Sequence, residues 1–220
     1  MAGSSSRAGV PTQVKNQDLV AQRRRQIVDA AVRLFIRKGF HKTTTRQIAA
    51  AARMPIGSVY EYVTSKEDIL YLVCDAIHAE VEKGVSEAMR RASKSKGGNV
   101  LADAIREYFF VCDRMSDHIL LIYQETKSLP RQWRAKVLEN EIRITGTFVK
   151  LIRELVAAGE IGPWDDGAIE LIAHTIVVLG HMWTFRRWFF GKRYYIDEYI
   201  RLQTEFILGS HGGKKRKRRR

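Results

Sequence analysis

The sequence predicts an all-α protein of about nine helices. Three observations favour this fold class. Apolar residues recur at the spacing of helix faces through most of the 220 residues. No segment alternates between apolar and polar residues over the length of a strand. The periodic segments are separated by breaks that contain proline or glycine, at Pro130, at 159–163 and at Gly191.

The composition bounds the class of protein. Hydrophobic residues make up 45% of the chain and the formal net charge is +14, so one or two basic domains with a real core are expected. No run of eighteen apolar residues and no apolar signal segment occurs, which predicts a cytoplasmic protein without a membrane partner. Cys74 and Cys112 stand alone in helical stretches. We interpret them as buried reduced thiols.

The N-terminal part predicts an arm and one long helix. Residues 1–17 are rich in Ser, Gly and polar residues, which indicates a flexible arm. The first helix is expected from about Asp18 to Lys38, with Gly39 as its stop. Its core stripe has helical spacing and consists of Ile27, Ala30, Ala31, Leu34 and Phe35.

Two short helices joined by a tight turn are predicted next. Thr44 or Thr45 can cap the first of them. Pro55 lies at the start of the second helix, where a missing N–H costs nothing, and that helix is expected to end near Tyr62. This pattern is a helix-turn-helix, whose second helix enters the DNA major groove. The first helix has an apolar face of Ile48, Ala49 and Ala52.

The same region is strongly basic. Between Arg23 and Lys66 there are ten Lys and Arg residues, against which stand only Asp29 and Glu61, so the local net charge is +8. We interpret this charge as a surface that meets phosphates. The alternative is that the basic residues only solvate a helical face.

The segment resembles the DNA-binding domain of TetR/AcrR-family transcriptional repressors. The resemblance is strong over residues 20–70 and extends further only as architecture. It implies a DNA-binding domain over 18–66, with Val59 and Val63 facing inward, and a helical effector-binding and dimerisation domain over 67–209. The matching positions are Gly39, Thr43, Thr44, Ile48, Ala49, Ala52, Gly57, Tyr60, Tyr62, Ser65, Lys66 and Glu67.

Recognition helices contact base edges through their N-terminal residues and phosphates through their flanks. Ile56 could therefore touch a thymine methyl, and Ser58 could donate or accept a hydrogen bond at a base edge. Gly57 allows the backbone to come close to the DNA. Tyr60 could instead belong partly to the core. The predicted DNA-binding residues are Pro55, Ile56, Gly57 and Ser58 at the groove floor, Tyr60, Tyr62 and Lys66 at phosphates as the resemblance implies, and Thr45 and Arg46 at the backbone or a flanking base.

Two residues depart from the family pattern. Arg53 replaces a small turn residue, usually glycine, and could add a phosphate contact. Pro55 replaces the usual Ser- or Thr-type cap, so one cap hydrogen bond is expected to be lost. These departures leave the operator sequence open.

The remaining chain reads as helices and a tail. Ser65 caps a long fourth helix that ends near Ala92, and Asp68 lies three residues after the cap, close to a capping box. This helix is long enough to couple the two domains. Residues 210–220 form a basic tail that we expect to be disordered. Further helices are expected at about 99–115, 117–128, 131–158, 166–190 and 194–208.

The last two helices predict a homodimer. Helix 166–190 is apolar on all sides, and helix 194–208 also has a broad apolar surface. Together they would form a four-helix bundle across a two-fold axis, with Gly180 as a central small position. A two-fold dimer suits a palindromic DNA operator.

In the domain expected over 67–209, polar residues stand among apolar ones and predict a small-molecule effector pocket. Each polar group could instead have its hydrogen-bond partner within the protein. Arg186 and Arg187, between aromatic residues, could hold a phosphate or carboxylate beside an apolar chain lined by Phe109. That loosely resembles acyl-CoA-responsive family members; a cation–π or dimer patch is the alternative. The candidate ligand-binding residues are Tyr108, Phe109, Tyr123, Gln124, Thr147, His174, His181, Arg186 and Arg187.

No catalytic motif is found. The sequence has no Gly-rich phosphate loop, no nucleophile elbow and no zinc-type Cys/His cluster. Glu170, His174 and His181 share a helical face, but no further strong ligand lies near them, so neither a metal nor a cofactor is expected. The sequence thus predicts a dimeric, ligand-responsive transcriptional repressor. The alternative is a ligand-independent, nucleoid-type DNA-binding protein.

Overall fold

The computed structural model describes residues 10–92 and 99–209. Within these ranges it contains ten α-helices, one 3₁₀ turn and no strand, which confirms the predicted fold class. The first half of the expected arm and the basic tail lie outside the described residues. The helices are α1 Gln17–Lys38, α2 Thr45–Ala51, α3 Ile56–Tyr60, α4 Lys66–Ala92, α5 Val100–Arg114, α6 Ser116–Glu125, α7 Arg131–Ala157, α8 Asp166–Phe185, α9 Arg187–Phe190 and α10 Ile196–Gly209, and the 3₁₀ turn is Thr126–Ser128.

The chain divides into two compact units. The first unit contains residues up to Ile77 together with Leu121–Val137, and the second contains His78–Leu120 and the chain from Leu138 onward. The helices α1, α2 and α3 belong to the first unit. The helices α4, α6 and α7 each begin in one unit and end in the other.

The core of the first unit follows the predicted pattern. In α1, Ile27 is fully buried and Phe35 is 1% exposed, so the expected stripe is the buried face of this helix. Phe40, just after α1, packs edge-on against Phe35 with ring centroids 5.3 Å apart. The inward orientation expected for Val59 and Val63 is confirmed, because they are 0% and 1% exposed.

Asp68 organises the start of α4 in the first unit. The Ser65 backbone N–H donates to Asp68 Oδ2 at 3.1 Å, and the Asp68 N–H donates to Ser65 Oγ at 3.0 Å, so the expected near-capping box forms. Thr64 donates to the same Oδ2 through its N–H and its hydroxyl. Trp133 Nε1 donates to Oδ1 at 3.0 Å, and its ring stacks on Tyr71 at 4.1 Å. Burial alone would raise the pKa of Asp68, but these hydrogen bonds outweigh it and hold the pKa below its usual value.

The second unit is built around close packing of α5, α8 and α10. Tyr108 and Phe109 on α5 are fully buried. A Cβ added to Gly180 on α8 would lie 2.7 Å from Tyr108 Cε1, so glycine allows the two helices to approach this closely. The hydroxyl of Tyr199 on α10 donates to the Leu179 carbonyl of α8 at 2.7 Å.

Two expectations for α8 are wrong. Gly180 does not lie on a surface available to a partner, since it packs against α5 within its own chain. The helix expected over 166–190 is interrupted at Arg186, which has φ −111° and ψ 21°. In a straight helix Trp183 and Phe190 would lie about 10 Å apart along the axis. The break instead brings their rings into a stack with centroids 6.4 Å apart.

Among the described residues, α8 is the one helix that is long and apolar enough to cross a membrane. Half of its apolar window is buried inside the protein. Core helices have the same properties, so this helix is weak support for a membrane span. The expectation that Cys74 and Cys112 are buried free thiols is confirmed. Burial raises the pKa of each thiol to about 12, which keeps both protonated at neutral pH.

Candidate nucleic-acid interface and effector region

The helix-turn-helix is held by local signals in its own sequence. Thr44 caps α2 by accepting from the Gln47 N–H at 3.2 Å, and the Gln47 side chain accepts from the Thr44 N–H at 3.1 Å. This is a complete capping box. In the turn, Arg53 has φ 55°, the left-handed conformation that explains why glycine is usual there. Pro55 is the N-cap of α3 and makes no side-chain cap hydrogen bond, as expected.

The recognition helix α3 has one exposed face. Ile56 is 38% exposed and Tyr60 is 51% exposed, whereas Val59 between them is fully buried. A Cβ added to Gly57 would meet no atom within 4 Å, so the fold does not require a glycine at this exposed position. Pro55 is also exposed. This face offers an apolar contact, a phenol and an approachable backbone to a groove.

Two predicted phosphate contacts take part in internal packing. Tyr62 is only 5% exposed. The Lys66 ammonium donates to the carbonyls of Phe40 and Thr43, each at 3.1 Å, and lies 4.2 Å from the centre of the Phe40 ring. Lys66 therefore fixes the loop between α1 and α2 to the start of α4. Their contact with phosphates remains a prediction.

The remaining DNA-binding candidates lie at or near the ends of α2 and α3. Arg46 is exposed in the first turn of α2, and Thr45 and Ser58 are half-buried. Arg53 is exposed in the turn before α3. Backbone N–H groups in the first turn of a helix, together with an exposed guanidinium, favour phosphate oxygens.

The structure also shows a feature that the sequence analysis missed. The chain over residues 10–16, which we call the strap, was expected to be part of a flexible arm. Instead Val10 is 3% exposed, and Thr12 Oγ1 donates to the Glu61 carbonyl at 2.8 Å. Arg24 of α1 donates to carbonyls of both the strap and Tyr62. No sequence pattern signals these contacts, because Arg24 and Tyr62 are 38 residues apart.

The candidate effector residues do not all gather in one place. Tyr108, Phe109 and His181 lie together in the core of the second unit, where the Tyr108 hydroxyl is 3.0 Å from His181 Nε2. Tyr123, 47% exposed, and Gln124 belong to the first unit.

A second buried polar pair lies in the same unit. His78, which is 3% exposed, has its Nε2 3.3 Å from Glu141 Oε1. Burial lowers the pKa of His181, and the Glu141 charge only partly offsets this. Burial raises the pKa of Glu141, but the His78 hydrogen bond and the charges of His181 and His78 outweigh it, so the pKa is lowered. The unit thus contains a polar, titratable cluster surrounded by apolar side chains.

The other candidates lie nearer the surface. His174 is exposed and lines an open groove of about 530 Å³ between α7 and α8, and Thr147 is half-buried on α7. The Arg186 guanidinium lies 4.9 Å from the Trp188 ring centre. Arg187 Nη2 is 3.8 Å from Asp113 Oδ1. Arg186 thus makes the cation–π contact that was the alternative to a ligand site, and Arg187 makes an ion pair within its own chain.

No catalytic or metal arrangement is evident within residues 10–92 and 99–209. The described His, Cys, Asp and Glu residues form no group of three that could hold a metal. Ser128 Oγ and Glu125 Oε2 both face Nε2 of His41, at 3.2 and 3.7 Å. In a nucleophilic triad the acid and the nucleophile face opposite ring nitrogens, so this cluster is not such a relay.

Comparison with known proteins identifies the family. Residues 27–71 match the family described as bacterial regulatory proteins, tetR family. The HTH-type transcriptional regulator HbdR of Aromatoleum sp. (strain CIB) is 32% identical over 200 residues, which cover 89% of this chain and 83% of that protein. This chain belongs to the tetR family. Both the family and this relative are described as regulatory proteins.

Two further similarities concern this tetR-family regulator. The fatty acid metabolism regulator protein of Bacillus subtilis is 27% identical over 138 residues, which cover 62% of this chain and 69% of that protein. The crystal structure of AibR in complex with isovaleryl coenzyme A and operator DNA matches with a TM-score of 0.63 and 21% identity. That match covers 84% of this chain and 98% of the AibR chain, and it shows the shared fold.

Proposed function

We propose that this tetR-family regulator is a cytoplasmic, homodimeric repressor that binds a palindromic DNA operator and is released by an acyl-CoA. The observation that carries the DNA-binding part is the arrangement of α3. Ile56, Gly57 and Tyr60 are exposed on one face, while Val59 is buried and anchors the helix. Side chains on a short, anchored helix reach base edges with little loss of conformational freedom.

Exposed apolar side chains on α8 and α10 support the dimer. Leu171 is 69% exposed and Val178 is 47% exposed, and their seven-residue spacing is that of a helix packing seam. On α10, Leu202 is 39% exposed and Phe206 is 64% exposed. Patches of this kind mark protein interfaces, and a two-fold copy would cover the same patch on both subunits.

The dimer is tested by placing a charge on this face. Val178→Glu and Phe206→Glu should dissociate the dimer, because an unpaired carboxylate would be buried at the interface. Leu138→Glu is the matched control, since Leu138 is 50% exposed but lies on α7. Sedimentation of the parent as a folded monomer at micromolar concentration would contradict the proposal.

The effector part rests on the buried cluster of the second unit and on the two relatives. Tyr108 and His181 provide hydrogen-bonding groups within an otherwise apolar core. Phe109 and Phe148 are fully buried and their rings lie next to the Tyr108 ring, so an acyl chain bound in this region would contact apolar side chains. AibR is seen with an acyl-CoA and operator DNA, and a second relative is named for fatty acid metabolism. Arg186 or Arg187 would bind the phosphates at the surface.

In this proposal the effector binds more tightly to the state that does not bind DNA. A difference of about 1–3 kcal/mol is typical of such coupling. The two half-sites of an operator lie about 34–36 Å apart, so a shift of a few ångströms between the two recognition helices would prevent simultaneous docking. The long helix α4 starts directly after the helix-turn-helix and could carry this shift.

The test is a titration of the protein–operator complex. Acyl-CoAs of increasing chain length, free coenzyme A, a fatty acid and an aromatic acid should be compared by fluorescence anisotropy. We expect release by acyl-CoA alone, weakened in Arg186→Ala or Arg187→Ala but not in the control Lys192→Ala. If none of these compounds releases the DNA, the effector proposal fails and a ligand-independent DNA-binding protein is favoured.

A further inference from the structure

The recognition helix α3 is too short to fix its own orientation. It has five residues, and a helix of that length is unstable without contacts to the rest of the protein. Its N-cap, Pro55, makes no side-chain hydrogen bond, and Val59 is the one buried side chain among its five residues. A single buried residue holds the helix on the core but does not define its direction. Contacts at the end of the helix must therefore do so.

The strap contacts the C-terminal end of α3. At one end of the strap Val10 is 3% exposed, and at the other Asn16 caps α1 by accepting from the Leu19 N–H at 3.0 Å. Between them, Thr12 Oγ1 donates to the Glu61 carbonyl at 2.8 Å. Glu61 is the C-cap of α3, where carbonyl groups have no partner within the helix. The strap is thus held at both ends and supplies the missing donor.

Arg24 of α1 binds the strap and the chain after α3 at the same time. Its Nε and Nη2 donate to the Tyr62 carbonyl at 3.1 and 2.9 Å. The same Nη2 donates to the carbonyls of Val10 and Pro11. One planar guanidinium therefore binds three carbonyls from two chain segments, an arrangement that a lysine ammonium cannot match in geometry. We call the hydrogen bonds of Thr12 and Arg24 the clamp.

We propose that the clamp fixes the orientation of α3, and that Thr12 and Arg24 are positioning residues for sequence-specific DNA binding. This inference rests on the proposed DNA-binding function. The clamp binds main-chain carbonyls beyond Tyr60, so it leaves the exposed face of α3 free and acts through the direction of the helix. Affinity for the operator falls with the fraction of molecules that have the competent orientation. Non-specific affinity depends on charge and does not need that orientation.

Four variants of the full-length protein separate positioning from charge and from folding. Arg24→Lys keeps the charge but loses the planar set of donors, and Arg25→Lys makes the same change at an exposed neighbour. Thr12→Val removes the hydroxyl but keeps a β-branched side chain, whereas Thr12→Ser keeps the hydroxyl. Thermal unfolding followed by circular dichroism shows whether each variant is folded at the assay temperature. If Arg24→Lys is not folded there, the two Thr12 variants decide.

Hydrogen exchange without DNA tests the clamp itself. The N–H groups of Tyr62 and Val63 both donate to the Val59 carbonyl, at 3.1 and 3.2 Å, so their exchange reports opening at the end of α3. We expect this exchange to be faster by about tenfold in Arg24→Lys and to be faster in Thr12→Val also. Arg25→Lys and Thr12→Ser should exchange like the parent. Parent-like exchange in both Arg24→Lys and Thr12→Val would overturn the inference, whatever their DNA binding.

DNA binding is then measured on a site that the parent selects from random double-stranded DNA and on an unrelated duplex of equal length. Arg24→Lys should bind the selected site about tenfold more weakly and Thr12→Val about fivefold more weakly, with Thr12→Ser like the parent. Affinity for the unrelated duplex and the slope of log affinity against log salt should not change, because the charge is kept.

Two results would overturn the role of the clamp in sequence-specific binding while leaving the proposed function intact. One is the parent's ratio of selected-site to unrelated affinity in both Arg24→Lys and Thr12→Val. The other is an equal weakening on both duplexes with a changed salt slope, which would assign Arg24 to phosphates. If the parent selects no DNA sequence at all, it is the proposed function that fails, and the exchange measurement still decides whether the clamp holds α3.

Discussion

Replacing Gly180 by alanine tests the packing of α8 on α5. The added Cβ would lie 2.7 Å from Tyr108 Cε1, 3.0 Å from Cys112 Sγ and 3.3 Å from Phe109 Cδ1. All three neighbours are fully buried and cannot move aside into solvent. Overpacking of this kind costs about 1–3 kcal/mol, and alanine recovers roughly 1 kcal/mol of helix propensity. With the closest contact so short, the expected net loss of stability is about 1–2 kcal/mol.

Gly146→Ala is the matched control for this substitution. Gly146 is exposed inside α7, and an added Cβ would meet no atom within 4 Å. Its only effect should be the gain in helix propensity, about 1 kcal/mol of added stability. The two Gly→Ala variants should therefore differ by about 2–3 kcal/mol, with opposite signs relative to the parent.

The assay is urea unfolding followed by circular dichroism, with all proteins at one concentration, because association would otherwise shift the midpoints. Gly180→Ala should lower the midpoint and Gly146→Ala should raise it. If Gly180→Ala unfolds at the same midpoint as the parent or above it, the close approach of α5 and α8 is wrong. Loss of association without loss of stability would instead place Gly180 at a subunit interface, as the sequence had suggested.

Three further changes have defined outcomes. Arg53→Gly should raise the free energy of unfolding by roughly 0.5–1 kcal/mol, and with it the thermal midpoint, because glycine adopts the left-handed backbone conformation without strain. A lower midpoint would show that the Arg53 side chain contributes more to stability than its backbone strain costs. Asp68→Asn should cost about 2 kcal/mol at pH 7. Since the folded state lowers the pKa of Asp68, this stabilisation is complete above the unfolded value, about 3.9, and disappears as the pH falls through the lower folded value. If the difference in unfolding free energy between Asp68→Asn and the parent stays constant down to pH 2, about two units below the unfolded pKa, this assignment is contradicted. Deleting Lys214–Arg220 should flatten the salt dependence of DNA affinity and leave operator preference unchanged; an unchanged slope would show that the tail does not meet DNA.

Local signals were sufficient to predict most of the helices. The α1 stripe, the Gly39 stop and the Ser65 cap lie within a few residues of the features they control, and the structure has each of them where the sequence placed it. The capping box of Thr44 with Gln47 could also have been read, because its three-residue spacing is a recognised pattern. The inward orientation of Val59 and Val63 was implied by the family resemblance, and their burial agrees with it.

Long-range contacts could not be predicted in this way. A helix that is apolar on every side, such as α8, does not show which face meets its own chain, and this is why Gly180 was placed on the wrong side. The break at Arg186, which allows the Trp183 and Phe190 rings to stack, has no proline or glycine at that position to signal it. The hydrogen bonds of Arg24 join three segments that are distant in sequence. The candidate effector residues depended on proximity in space, and only Tyr108, Phe109 and His181 lie together in the second unit.

Sequence selection by the recognition helix tests the central claim most directly. The full-length parent, Ile56→Ala and Arg46→Ala should each be used to select sites from random double-stranded DNA, and their affinities for the parent's site should then be measured. We predict that Ile56→Ala loses preference at one or two base positions, whereas Arg46→Ala binds more weakly but selects the same sequence, because phosphate contacts carry no sequence information. Identical selected sequences and identical affinities for all three proteins would contradict the assignment of α3 as the helix that reads DNA.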